Sequence, residues 1–482
     1  MVFSQKCTVF SDAVDLTGKT VTLRADLDLP LVESESKGGG FEVDLGDDVN
    51  LERFNATVES IRSMFEVQDV QNLLILAHNG IPGGKIDPSL SLKPFAALLE
   101  AELDMPVRFI NSVIGEAAAE ALAALRAPRD EESEEEPPDK QIILFENLRF
   151  HPEELTSMET EYLRYHPDSF AMKLSDMADA FVNDCLSECL SLAPSIIGVR
   201  PLEGTGLRLA GPSLQAALQA CSNVLENPMK PLTAIIGGSV CEQSVKLLRN
   251  LVTVADNVLL AGEMAHALES VRKGQEIVVP LKAGEDSDKR EELKLQLVIL
   301  NRDAMRYNCT LLTPVDYVFG DKDPAVEEGE DYTGEIGTGS HADVSSGDNF
   351  ILDIGAETAD MYSSVIRRSQ TLAWHGALGL CQFPDLQEGT SVILDAMADS
   401  DEMFSIATHP TTARHAANIA ALEGNPPPFT STFTNGVVAS ILGGDVALGI
   451  SLLSSVSALE SEDEESEDPE VEEEEVDDEE EA

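Results

Sequence analysis

Short apolar runs recur along the chain, each followed by a polar turn and then by a segment that is apolar on one face only. Residues 73–77 (LLILA), 142–146 (IILFE) and 232–236 (LTAII) are runs of this kind, with little polar interruption, as expected of strands buried on both faces. Residues 107–110 form a shorter one. Residues 21–29 (VTLRADLDL) alternate instead, with Arg24, Asp26 and Asp28 on the polar face, which predicts a strand ending at Pro30. Helical spacing covers 53–65, a stretch running through 102, and 116–125. Residues 32–50, glycine-rich and acidic, read as a loop or hairpin. Strands alternating with helices at this spacing predict a parallel, doubly wound α/β sheet. Ligands of such sheets sit beyond the carboxyl ends of the strands, and Asp26, His78 and Arg149 all fall there, so they are expected to converge.

The stretch 231–251 (PLTAIIGGSVCEQSVKLLRNL) places a strand, the pair Gly237-Gly238 and a helix in succession. That geometry brings backbone N–H groups and a helix start towards an anion. A working phosphate turn also carries a cation nearby. None stands between Ala234 and Val245, and Lys246 lies more than a turn inside the helix.

Composition narrows the function classes. A hydrophobic content of 43% describes an ordinary soluble protein, and 482 residues suffice for two or three cores. The net charge of −56 argues against nucleic acid or an anionic membrane as partner. Much of that charge is concentrated at 129–139 (RDEESEEEPPD) and in the acidic tail 459–482, both expected to be disordered because they have no apolar face to bury. No signal or transit peptide is read at the N-terminus, and the apolar stretch 437–459 is broken by Asp445, Ser and Gly, favouring a buried helix and turn over a membrane span. The expected compartment is the cytoplasm. Seven scattered cysteines suit a reducing environment, with Cys185 and Cys189 read as buried thiols rather than as half of a metal site.

Several runs, in order, resemble phosphoglycerate kinase: LRADLDLP (23–30), AHNGIPGG (77–84), LFENLRFHPEE (144–154), ADAFVNDC (178–185), IIGGSV (235–240), LDIGAET (352–358) and TLAWHGALG (371–379). The resemblance spans roughly 16–453. It implies two Rossmann-like lobes facing across a cleft: an N-terminal lobe over 1–199 that binds 3-phosphoglycerate, and a C-terminal lobe over 200–435 that binds Mg-ATP or Mg-ADP. A segment over 436–458 would return to the first lobe, ahead of the tail. By the same resemblance Arg24, Asp26, Asp28, His78 and Arg149 are the substrate residues, and Arg53 is the retained catalytic arginine. Gly237, Gly238, Gly262, Leu352, Gly376, Gln382 and Thr412 are the nucleotide residues.

Against the family pattern, charge and glycine are lost at phosphate contacts. Asp28 replaces an asparagine and Ile81 an arginine, and Leu190-Ser191 replace a His-Arg pair. Val240 and Ser244 replace two lysines. Lys246, two residues beyond the second, lies about 200° around the helix axis from it. His375 replaces an asparagine and Gln382 a glutamate. Residues 408–412 (THPTT) replace GGGDT, so Thr411 stands for the metal-binding aspartate and no metal ligand is assigned. Val437 replaces a glycine in the segment 433–439. One lost preorganised donor typically costs about 10²–10³ in rate. The reading is therefore a phosphoglycerate kinase homologue that is impaired or inactive and serves as a binding or scaffold protein, expected to be monomeric, with the tail recruiting a basic partner. An active kinase with a rearranged site and a sensor of small anions such as 3-phosphoglycerate are the alternatives.

Overall fold

The computed structural model describes residues 14–34, 40–46, 48–126, 140–157, 166–200, 206–277, 287–324, 331–345, 349–400, 402–425, 428–433 and 436–453. The acidic stretches at 129–139 and 459–482, together with Thr434 and Asn435, lie outside these.

Strands β1 (Thr20–Arg24), the hairpin pair β2 (Leu31–Glu33) and β3 (Phe41–Val43), β4 (Asn72–Leu76), β5 (Val107–Ile110), β6 (Gln141–Phe145), β7 (Ala180–Asn183) and β8 (Arg208–Ala210) belong to the first half. Six of them form a parallel sheet in the order β5-β6-β4-β1-β7-β8. Its apolar runs divide between two cores because successive side chains point to opposite faces. Leu73 and Ile75 pack with Phe54, Phe95 and Leu144 on one side, while Leu74 and Leu76 pack with Phe145, Phe170 and Phe181 on the other. The alternating stretch 21–29 forms less strand than its pattern suggests. Pairing stops at Arg24, and the chain continues irregularly to Pro30, carrying Asp26 and Asp28 beyond the carboxyl end of this interior strand.

In the second half, β9 (Leu232–Ile236), β10 (Asn257–Leu260), β11 (Thr310–Leu312), β12 (Tyr317–Gly320), β13 (Ile336–Gly339), β14 (Phe350–Ile354), β15 (Thr371–His375), β16 (Phe404–Ala407) and β17 (Ser431–Thr432) form two sheets. The larger is parallel, ordered β11-β10-β9-β15-β16-β17, and β12–β14 make a small antiparallel sheet. Leu232, Ala234 and Ile236 enter one core, and Ile235 joins Leu259, Leu372 and Trp374 in the other. The strand order reverses between β9 and β15, the place where a doubly wound sheet opens a crevice.

The first sheet extends beyond the expected lobe limit at 199, because β8 pairs with β7 in register Val182↔Leu209. Three residues carry no periodicity that marks such a strand. Helix Pro212–Leu225 then leads towards the second sheet, its start held by Asp184, which accepts from the Leu214 amide at 3.0 Å and from Ser213 Oγ at 3.1 Å. Near the other end of the described chain, helix Leu448–Ser451 returns to the first lobe. The Gly449 amide donates to Cys189 O at 3.1 Å, and Asn183 Nδ2 donates to Gly449 O at 3.3 Å. A Cβ at Gly449 would come within 2.6 Å of Ile196, so glycine permits this close approach. Among the described residues no helix is long and apolar enough to cross a membrane.

Candidate functional site

Four neighbouring strands of the first sheet deliver their carboxyl ends to one place. Arg24 closes β1, His78 follows β4, Arg149 follows β6 and Glu188 follows β7. A pair of buried asparagines fixes the loops between them. Asn147 Nδ2 donates to Asn79 O and Leu90 O at 2.7 and 2.9 Å, and Asn79 Nδ2 donates to Leu27 O and Leu29 O at 3.1 and 2.6 Å. Of the expected trio, His78 and Arg149 meet at Glu188, 3.6 and 2.9 Å from its Oε1, while Asp26 pairs with Arg53 from helix Asp48–Glu66.

The cations there are largely occupied by the protein itself. Arg24 is 1% exposed and donates to Ser195 Oγ (3.0 Å), Ala25 O (2.9 Å) and His78 Nδ1 (2.9 Å). Ser195 Oγ in turn donates to Glu154 Oε1 at 2.5 Å. Burial pushes the Glu154 carboxyl up, against the pull of Arg24 and Ser195. Arg53 is paired with Asp26 at 2.8 Å, and Arg149 with Glu188 at 2.9 Å while also donating to Gly80 O at 3.0 Å.

His78 is fully buried, and its tautomer follows from its partner. An arginine only donates, so Nδ1 accepts from Arg24 and the ring proton sits on Nε2. Burial, then the charges of Arg24 and Arg149, hold its pKa below the usual histidine range. Nε2 has no hydrogen-bond partner among the described residues; Asp28 Oδ2 and Glu188 Oε1 both stand 3.6 Å away. Asp28 also accepts from the Gly80 amide at 2.7 Å. Although burial raises the Asp28 pKa, the His78 ring, the Gly80 amide and Arg53 outweigh it and hold the carboxyl well below the usual range. Ile81, standing where the resemblance expects an arginine, points to solvent with 85% exposure.

At the second sheet the glycine turn after β9 packs against the turn after β15. Gly237 N donates to His375 O at 2.9 Å and Gly238 N to Ala377 O at 2.8 Å, so both amides are spent within the protein. Val240 N donates to Glu263 Oε2 at 3.2 Å, and burial raises the Glu263 pKa. Ser244 is buried and forms a capping box with Cys241 at the start of helix Glu242–Leu251; its hydroxyl accepts from the Cys241 amide at 3.0 Å. Lys246 is paired with Asp445. Of the remaining positions expected to meet a nucleotide, Gly262 adopts φ +57° and abuts Gly238, Gly376 adopts φ +81° and abuts Gly237, and Gln382 is exposed. Leu352 is not presented to a ligand: it is 1% exposed, in a small core with Tyr332, Phe383 and Leu386. Thr411 is exposed and Thr412 buried on helix Pro410–Glu423.

His375 ends β15 beside His409, with ring centroids 5.5 Å apart and planes at 87°. Burial and then the neighbouring His409 press its pKa to about 4. The unfolded chain therefore takes up this proton first as pH falls, and the group's effect is to erode stability from roughly pH 6.5 down to its folded value. A ring titration near pH 4 followed by NMR is the expected result; a midpoint near 6.5 would contradict this packing.

Sequence reasoning passed over Glu188, Glu154, Ser195 and Glu263. Glu154 stood inside the quoted ENLRFHPEE run, and Glu188 lay in the very stretch read for its missing His-Arg pair. Neither could be placed opposite an arginine without the strand order.

A family model described as phosphoglycerate kinase matches residues 11–432. Similar curated proteins are the phosphoglycerate kinase of Methylorubrum extorquens (31% identical, covering 79% of this chain and 82% of that one) and phosphoglycerate kinase 2 of Sus scrofa (28%, covering 95% and 100%). Among solved structures, that of phosphoglycerate kinase from Coxiella burnetii superposes with a TM-score of 0.68 at 24% identity, covering 91% of this chain and 97% of that one. The Pyrococcus horikoshii enzyme superposes at 0.60 and 21%, with the same coverage. Both structures share the two-lobed α/β fold.

Proposed function

The chain belongs to the phosphoglycerate kinase family, and we propose that it is a member impaired or inactive in phosphoryl transfer that acts as a binding or scaffold protein. The observation that carries this reading is that both anion-binding places are filled from within. Glu188 and Asp26 neutralise Arg149 and Arg53 in the first lobe, and the glycine-turn amides of the second lobe are bonded to His375 O and Ala377 O. In-line transfer needs donor phosphate, metal and acceptor held together while charge redistributes. The residues present do not fit a magnesium nucleotide: an exposed threonine stands at 411, and Glu263 meets the Val240 amide near the turn. The acidic tail over 459–482 is the proposed arm for a basic partner, an association that would weaken steeply with ionic strength.

Purified full-length protein is expected to show no transfer between ATP and 3-phosphoglycerate in a coupled assay. The double variant Val240→Lys/Ser244→Lys is expected to remain at background as well. Ser244 is buried under the helix start, so lysine there loses the capping box, worth about 1 kcal/mol, and faces burial of its charge. Turnover comparable to the family's, in the unmodified protein, would overturn the proposal.

A further inference from the structure

Asp184 sits where the first sheet hands the chain on to the second. It follows β7, is 5% exposed, and its amide donates to Arg24 O at 2.9 Å. Its carboxyl group joins two helices. Oδ2 meets Ser60 Oγ of helix Asp48–Glu66 and accepts from Ser213 Oγ at 3.1 Å, while Oδ1 accepts from the Leu214 amide at 3.0 Å. Gly211 lets the chain pass this close, since a Cβ there would stand 2.5 Å from Asp184 Oδ1. Each helix leads away to a different place. Helix Asp48–Glu66 carries Arg53, and helix Pro212–Leu225 sends Ala217, Ala220, Cys221 and Val224 into the core shared with Leu232, Ala234 and Ile236 of β9.

We propose that Asp184 is a proton-operated latch at the root of helix Pro212–Leu225: protonated, it seats the helix start on helix Asp48–Glu66, and ionised, it draws in water and loosens that seat. The latch is independent of phosphoryl transfer.

The hydrogen bonds fit the protonated carboxyl. A serine hydroxyl has one proton to give, yet Ser60 Oγ lies against both Asp184 Oδ2 and, at 2.9 Å, Ala56 O. With the acid protonated, Oδ2–H donates to Ser60 Oγ, the serine gives its own proton to Ala56 O, and every contact is made. With the acid ionised, the serine proton turns to Asp184 and the bond to Ala56 O is lost. The ionised form also lacks a cation. Its three donors are two hydroxyls and an amide. The charged groups on the surrounding elements are engaged elsewhere. Arg24 of β1 is bonded to Ser195, Ala25 O and His78. On helix Asp48–Glu66, Arg53 pairs with Asp26 and Arg62 with Glu59. Arg208 of β8 donates to Ile196 O at 3.3 Å, and Glu188 beyond β7 pairs with Arg149. Helix Pro212–Leu225 contains no charged residue. A buried carboxylate without a counter-charge is costly, and burial pushes the Asp184 carboxyl up to about 6, against the pull of Ser60, Leu214 and Ser213.

The direction of the switch follows from linkage. A hydrated Asp184 titrates at the ordinary 3.8, so the seated form holds its proton more tightly than the loosened one. Seating is favoured as pH falls through about 6, and that bias is gone above it.

Hydrogen exchange on the full chain, read by mass spectrometry and corrected for the intrinsic pH dependence of exchange, tests the latch. Protection of the Ser213, Leu214 and Gln215 amides should rise about tenfold from about pH 7.5 to about pH 5. Strand β5, at the opposite edge of the same sheet, should not follow. In Asp184→Asn, which keeps the shape of the neutral acid and cannot ionise, these amides should already have at the higher pH the protection that the unmodified protein reaches only at the lower. Protection that ignores pH in the unmodified protein, a rise shared equally by β5, or a tenfold rise that survives in Asp184→Asn would overturn the latch. The first two readouts need no variant, and so decide the matter even if Asp184→Asn fails to fold.

Discussion

Gly237→Ala is expected to cost at least about 3 kcal/mol, the size reserved for changes with a named clash. A methyl group there would sit 2.0 Å from Ala377 O and 2.7 Å from its carbonyl carbon, both backbone atoms. Neither loop has an easy way to yield. They are tied by the Gly237–His375 and Gly238–Ala377 hydrogen bonds, and Gly376 opposite, at φ +81°, would itself place a Cβ 2.2 Å from Gly237 O. Gly238→Ala is the instructive control. Its φ of +75° strains an alanine by roughly 1–2 kcal/mol, but the space is open, with the nearest atom 3.7 Å away. At about 2–4 °C per kcal/mol for a lobe of this size, differential scanning calorimetry should separate the two by several degrees. A Gly237→Ala protein melting with the unmodified one would show that the turns do not hold each other.

The second large effect concerns binding. Glu188→Thr should tighten 3-phosphoglycerate binding by about 10–100-fold, the worth of one hydrogen bond to a charged group, about 1.5–3 kcal/mol. Glu188 occupies Arg149 at 2.9 Å and stands 3.6 Å from the orphan His78 Nε2. Removing its carboxylate leaves a guanidinium and a buried N–H donor facing an empty position at the carboxyl ends of β4 and β6. Both members of the pair are about a fifth exposed, so the freed Arg149 can hydrate and the fold should tolerate the change. Glu188→Gln, which keeps the shape and removes the charge, should give a smaller gain in the same direction. Equal affinity in calorimetry for the unmodified protein and Glu188→Thr would refute the idea that this acid closes the site.

Much of the fold was legible because its strands are buried on both faces. LLIL and TAII admit no other economical placement, and their alternation between two cores follows from the strand period alone. What sequence could not supply was adjacency. That Gly237 meets Ala377 depends on β15 lying beside β9, and that Glu188 meets Arg149 depends on strands brought together from distant stretches of the chain. The polar stretch 21–29 was over-read as strand because its alternation outlasts its pairing, and Arg208–Ala210 was under-read because three residues carry no period. For the site, the positions of Arg24, Asp26, Asp28, Arg53, His78 and Arg149 came from motif and strand ends. Which groups occupy the arginines was not readable, since a pattern of residue types does not say which acid faces which base.

The docking of Gly449 against Cys189 and Ile196 bears on how the polypeptide is made. The receiving surface, Pro194–Gly198, leaves the ribosome about 250 residues before the helix that covers it. At a synthesis rate of about 5–20 residues per second, that is an interval of roughly 12–50 s. Throughout it the first lobe can assemble its six-stranded sheet but not this last contact, so Ile196 and its neighbours remain open to water or to a chaperone until helix Leu448–Ser451 has emerged.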